Sequence, residues 1–159
     1  MKDVVIVDSV RTGLAKAFRG SFNLTRSDDM LAHCIDALLD RNAAVAPDEV
    51  EDVYVGAASH AGEQDGNLAR LAVVLSRLPI TAGGVTINRF CSSGLQSIAM
   101  AANQIATGQT QVAIAGGVDS ISMRTRQEPG KAKQNKRLME EKPEIFCTNL
   151  CLDKSLSII

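Results

Sequence analysis

Between residues 85 and 106 the apolar pattern changes period once, and that change constrains the fold more than any other feature of the chain. Val85 to Phe90 alternates apolar and polar, as a strand does. From Leu95 the apolar residues fall at 95, 98, 99, 102, 105 and 106, the spacing of one helix face. Cys91 sits at the switch, in the word Asn88-Arg89-Phe90-Cys91-Ser92-Ser93-Gly94. A strand that turns directly into a helix places unpaired N–H groups and the positive end of the helix dipole beside the turn. That setting favours a thiolate, a strong nucleophile toward acyl carbonyls, and backbone N–H groups there can hold an oxyanion. Cys91 is therefore the candidate nucleophile.

The rest of the chain repeats the alternation. Val4 to Val10 is short, β-branched and almost wholly apolar, and predicts a buried strand. Thr25 and Asp28 form an acidic variant of a capping box. The helix they open runs to about Arg41, with Leu31, Cys34, Ile35, Leu38 and Leu39 on one face. Val50 to Ala57 is the next strand and ends in a polar, Gly-rich loop. Asn67 to Leu78 is a helix with Leu68, Leu71, Ala72 and Leu75 inward, stopped by Pro79. Val112 to Gly117 is the last strand of the pattern. Strands and helices alternating at this spacing predict a layered α/β fold with right-handed crossovers.

At 159 residues the chain can bury one good core. It is 45% hydrophobic and 22% charged with a net charge of -1, so neither a nucleic acid nor a membrane partner is expected. No run approaches the roughly 18 apolar residues of a membrane span, and Met1-Lys2-Asp3-Val4 shows no signal-peptide pattern. The cysteines at 34, 91, 147 and 151 do not resemble a disulfide framework, which places the chain in a reducing cytoplasm. Cys147 and Cys151 have no further Cys or His nearby to complete a zinc site. After Met123 the character changes. Residues 124–142 are rich in Lys and Arg around a Pro-Gly pair, and predict a loop or mobile arm. The chain thus divides into a domain at 1–123 and a loop region with a divergent tail at 124–159.

The words around Cys91 resemble the nucleophile motif of the thiolases. Three further words agree in order: Val7-Asp8-Ser9-Val10-Arg11-Thr12, then Gly62-Glu63 with Asn67 and Ala69-Arg70, then Ala115-Gly116-Gly117-Val118-Asp119-Ser120-Ile121-Ser122-Met123. The resemblance runs from about Lys2 to Met123. It implies the N-terminal half of a thiolase-like layered α/β sandwich, with a mixed, mostly parallel sheet. It also implies an acyl-CoA acyltransferase that makes or breaks 3-oxoacyl-CoA thioesters through an acyl group on Cys91. CoA thioesters would be substrates, with no further cofactor and no metal. Asn88, Arg89 and Gly94 would shape the turn. Thiolases dimerise through the strand before the nucleophile, so a homo-oligomer through Val85 to Phe90 is expected. A β-ketoacyl synthase has a similar fold and a similarly placed Cys, but the word around Cys91 fits thiolases better.

The departures matter equally. Thiolases use a His in a His-Pro word, a second Cys in a Cys-x-Gly-x-Gly word and an Asn-Glu word. None of these occurs in the 159 residues, and His33 and His60 match none of them. Asn149 to Ile159 no longer resembles the family, and an early stop or frameshift there is the expectation. The resemblance therefore implies an acyltransferase severely impaired as this isolated chain. The rival is a non-catalytic fragment or a docking partner of a full-length thiolase.

Overall fold

Tyr54 marks the centre of the sheet. It pairs with Val85 on one side and with Ala115 on the other, both in parallel. A computed structural model describes residues 2–124 and 135–143. In chain order the elements are α1 (Ser27–Arg41), a 3-10 turn (Pro47–Glu49), β1 (Asp52–Gly56) and a second 3-10 turn (Gly62–Gln64). These are followed by α2 (Leu68–Leu75), β2 (Gly83–Ile87), α3 (Ser93–Thr107), β3 (Ala113–Gly117), α4 (Ile121–Arg124) and α5 (Lys136–Glu141). The strand order is β2-β1-β3. Among the described residues every pairing between these strands is parallel, so the antiparallel component of the expected mixed sheet is not seen there.

Parallel neighbours need crossovers, and right-handed ones leaving and re-crossing the centre put α2 and α3 on opposite faces. On the first face Val53 and Val55 pack with Leu31, Ile35 and Leu39 of α1 and with Leu68, Ala72 and Val73 of α2. On the other face α3 turns a row of small residues, Ser93, Ser97 and Ala101, toward the sheet. The apolar stripe of α3 points away from the sheet at its start: Leu95 is 72% exposed and Ile98 41%. Glycines at the strand ends let the helix backbone come close, so small residues face the sheet and the larger ones point away.

Three further expectations are corrected. Residues 4–10 form no ladder, and Val5, Ile6 and Val7 are 74%, 80% and 77% exposed. Apolar β-branched sequence makes a strand only where a neighbour accepts its hydrogen bonds. Here the segment is held instead by Lys2 N–H on Ala106 and by Asp8, which pairs with Arg41 at 2.8 Å and accepts from Asn42 at 2.9 Å. A groove of about 370 Å³ lies between residues 10–17 and β3.

The capping box at Thr25 and Asp28 does not form. The N-cap is Arg26, with no side-chain cap bond. Asp28 is fully buried and bound by the Arg26 guanidinium, while Glu63 accepts the N–H of Ser27.

The basic arm is not wholly loop. Residues 136–141 form α5, because Asn135 caps Arg137 N–H and donates to Asp28, while Leu138 is buried against Ala32, Val74 and Leu75. Residues 125–134, and the stretch from 144 with Cys147 and Cys151, lie outside the described residues. No helix among the described residues is long and apolar enough to cross a membrane.

Candidate active site

β2 ends at Ile87 and α3 begins at Ser93, so residues 88–92 make the whole reversal. Phe90 stands in the left-handed region at φ 49, a conformation that bulky residues rarely adopt. Two side chains meet its backbone. Asn88 Oδ1 accepts the Phe90 N–H at 2.9 Å. Ser93 Oγ donates to the Phe90 carbonyl at 2.6 Å and accepts the Arg89 N–H at 2.8 Å. Cys91 follows Phe90 directly, is a free thiol and is exposed. The N–H of Ser92 donates to Arg89 and that of Ser93 to Phe90, so two of the backbone donors at this turn are engaged within it.

The expected turn-shaping residues divide by role. Asn88 ties the elbow inward through its Oδ1 and outward through its Nδ2, which donates to the Ala58 carbonyl at 3.2 Å. Arg89 reaches forward to the Gln96 side chain on α3. Gly94 has no steric need of its own, since a Cβ there would meet nothing within 4 Å. The space is needed beneath it. A Cβ on Gly56 would come 2.2 Å from Ser93 C, and one on Gly117 would come 2.8 Å from Gly56 O. These two glycines let the start of α3 rest on the ends of β1 and β3. Gly116-Gly117 thus permits close packing, through its second member.

A polar frame joins the strand ends around the elbow. Asp119 accepts the N–H groups of Ala58 at 2.8 Å and Ser59 at 3.2 Å. Gln64 is fully buried and uses both ends of its amide. Its Nε2 donates to Ser59 O at 2.7 Å and Asp119 at 3.1 Å; its Oε1 accepts Ser120 N–H at 2.6 Å and the Ser27 hydroxyl at 3.0 Å. Glu63 beside it is buried, and burial pushes its carboxyl above the usual glutamate range. Sequence reading missed Ser93, Gly56, Asp119 and Gln64 as supports of the elbow. Gln64 directly follows the Gly62-Glu63 word, and Asp119 lies in the word after β3, but only the fold shows that they meet.

The side chains of the other candidates take no part in this hydrogen-bonded frame. His60 is exposed, and its Nε2 donates to the Ala57 carbonyl at 3.1 Å; His33 is exposed on α1. Cys34 is half-buried, and burial pushes its thiol up. Cys91 lines neither the 370 Å³ groove nor the second one, of about 450 Å³, which is bounded in part by Thr25, Met30 and His33. Among the described residues no three His, Cys, Asp or Glu side chains come together as metal ligands. What the geometry offers chemically is an open thiol on a rigid, left-handed turn at a helix start.

The family model described as "Thiolase, N-terminal domain" matches residues 4–154. The chain is 44% identical over 122 residues to a beta-ketoadipyl-CoA thiolase of Pseudomonas putida, covering 77% of this chain and 30% of that protein. It is 43% identical over 121 residues to a 3-ketoacyl-CoA thiolase of Vibrio vulnificus, covering 76% and 31%. A 3-ketoacyl-CoA thiolase of Vibrio parahaemolyticus is 40% identical over 120 residues, covering 76% and 31%. The match spans less than a third of the length of these relatives.

Proposed function

We infer the reaction from one premise: this chain belongs to the thiolase family, and what it carries is the N-terminal domain of that family. We propose that its chemistry is acyl-CoA acyltransfer of thiolase type, with Cys91 as the nucleophile. The carrying observation is the exposed Cys91 thiol on the Phe90 turn at the start of α3. In the thiolytic direction the Cys91 thiolate adds to the 3-oxo carbonyl, and the bond to the α-carbon breaks. The shortened acyl group stays on sulfur, and the departing enolate takes up a proton as acetyl-CoA. A CoA thiol then accepts the acyl group and restores Cys91. The printed names of the relatives, a beta-ketoadipyl-CoA and two 3-ketoacyl-CoA thiolases, support CoA thioesters as the substrate class.

As a 159-residue polypeptide the chain turns over slowly on this proposal. Among the described hydrogen bonds neither His33 nor His60 reaches Cys91, and loss of a general base alone costs about 10²–10⁴ in rate. Residues 1–123 form the domain body, and 124–159 begin the loop region, whose α5 docks back on α1 and α2. The free thiols of Cys34 and Cys91 favour a reducing cytoplasm. Val85 to Phe90, the end of β2 and the start of the elbow, is the proposed contact of a homo-oligomer.

The exposure of Leu95 and Ile98 on α3 favours one alternative, a non-catalytic chain that docks on a complete thiolase. Thiolysis of a 3-oxoacyl-CoA by the purified chain separates the two. A measurable rate lost in Cys91→Ala supports the enzyme, and a rate indistinguishable from the blank supports the docking partner.

A further inference from the structure

The elbow contains two side chains that touch no reacting atom yet grip the residue before the nucleophile from both sides. We propose that Ser93 and Asn88 are the positioning residues of Cys91, and that they act by holding Phe90 in its left-handed conformation. Asn88 Oδ1 takes the N–H of Phe90 at 2.9 Å, and Ser93 Oγ gives its proton to the carbonyl of Phe90 at 2.6 Å. Both peptide groups of Phe90 are thereby fixed, and the peptide that carries the Phe90 carbonyl also carries the N–H of Cys91. Ser93 is 3% exposed, so water does not compete for its hydroxyl. Its oxygen is doubly used, because it also accepts the Arg89 N–H at 2.8 Å. Phe90 is 78% exposed, so side-chain burial does little to hold the conformation. A non-glycine residue at positive φ carries a cost, and it persists where its surroundings over-determine it. Here those surroundings are two hydrogen-bonding side chains, joined by the Ser93 N–H on the same Phe90 carbonyl at 3.0 Å.

The Asn88 bond is of a common local kind, an amide oxygen accepting from the backbone two residues on. The Ser93 bond is local too, a helix-start hydroxyl on the carbonyl three residues back. It reaches back from the first turn of α3, so it couples the angle of the helix to the orientation of the Phe90–Cys91 peptide. Gly56 and Gly117, which let Ser93 and Gly94 sit against the strand ends, set where that hydroxyl stands. The chain of dependence runs from sheet to helix start to Phe90 to Cys91.

This inference rests on Cys91 as the nucleophile, but it is tested without acyl transfer, so the two fail separately. The probe is iodoacetamide. The alkylation rate of Cys91 is followed by peptide mass spectrometry across a pH series, with Cys34 in the same sample as the reference for an intact fold. Ser93→Ala is expected to change the pH profile of Cys91 and lower its rate about fivefold, what one hydrogen bond of ordinary net strength holds, while Cys34 is unchanged. The decisive comparison is the same substitution in a Phe90→Gly background. Glycine visits positive φ freely, so Ser93→Ala should then cost much less. If Ser93→Ala does not fold, Asn88→Ala against Asn88→Ser carries the test, since serine keeps an acceptor for the Phe90 N–H. Alanine should lower the rate and serine restore it. An unchanged Cys91 profile in the alanine variants, or an equal effect of Ser93→Ala with Phe90 and with glycine, overturns the proposal.

Discussion

Glu63 Oε1 accepts both the backbone N–H of Ser27, at 3.1 Å, and its hydroxyl, at 2.8 Å, so a loop carboxylate caps α1 from 36 residues away. Its other oxygen, Oε2, is buried with no hydrogen-bond partner among the described residues. Burial pushes this carboxyl up, and the bonds from Ser27 and the nearby Arg26 charge offset only part of that. A carboxyl whose pKa is higher folded than unfolded makes the folded state hold its proton more tightly. Its contribution is therefore favourable at low pH and is lost as pH climbs from the ordinary glutamate range through the raised value. Glu63→Gln keeps an acceptor for Ser27 and removes the charge. We expect the variant to gain stability relative to the parent as pH rises through that window, with the two converging below it. Urea unfolding across a pH series checks this, and two parallel curves would contradict it.

The glycines of the elbow give a sharper mutational contrast than the sequence motif implies. Gly56→Ala would force a methyl to within 2.2 Å of the Ser93 backbone. Overpacking of this kind costs about 3 kcal/mol or more where backbone has to move. Gly94→Ala meets nothing within 4 Å and lies in the first turn of a helix, where alanine is preferred to glycine by up to about 1 kcal/mol. Chemical denaturation of the two variants should separate them by several kcal/mol. Equal stabilities would mean that α3 does not sit on Gly56.

The two described thiols should differ in reactivity. Cys91 is exposed, whereas Cys34 is half-buried and its thiol is pushed up by burial. Iodoacetamide at neutral pH should label Cys91 several-fold faster than Cys34 in the folded chain, and the difference should vanish in denaturant. Equal labelling of both in the native protein would show that the elbow is not formed.

How much of this was legible in the sequence depends on whether a feature is set locally. The period change at Cys91 is local, and the elbow between β2 and α3 lies where it predicts. The helices at Ser27–Arg41 and Leu68–Leu75 were equally readable, because Leu31, Ile35 and Leu39, or Leu68, Ala72 and Leu75, recur at helical spacing. Residues 4–10 carry the pattern of a strand, but a strand is a relation between two segments, and a single run of β-branched residues does not contain its partner. The inward face of α3 was not legible for a similar reason. Which side packs is decided by Gly56 and Gly117 on other elements, not by the apolar stripe itself. Asp119, Gln64 and Ser93 support Cys91 through contacts that only the fold creates; 55 residues separate Gln64 from Asp119.

Uncovered apolar surface makes a prediction about association. Val5, Ile6 and Val7 on the N-terminal segment and Leu95 on α3 are each more than two-thirds exposed, and among the described residues β2 and β3 are the edges of the sheet. Apolar faces and open edges of this kind favour self-association. Light scattering at tens of micromolar should show a dimer or larger species, and Ile87→Lys on β2 should weaken it if the contact is the one proposed. Asn88→Pro would be a poorer probe, because the Asn88 side chain also holds the elbow. A stable monomer would count against both the exposed faces and the β2 contact.

Whether Cys91 takes up an acyl group can be measured directly. The purified chain is incubated with acetyl-CoA, and with a 3-oxoacyl-CoA in a separate sample, then quenched in acid and analysed by peptide mass spectrometry. We expect one acyl group on the peptide that contains Cys91, formed slowly, removed by hydroxylamine, and absent from Cys91→Ala. An acyl group found on Cys34 at the same rate, or no adduct on Cys91 in a chain whose thiol still alkylates normally, would contradict a thiolase nucleophile at this position.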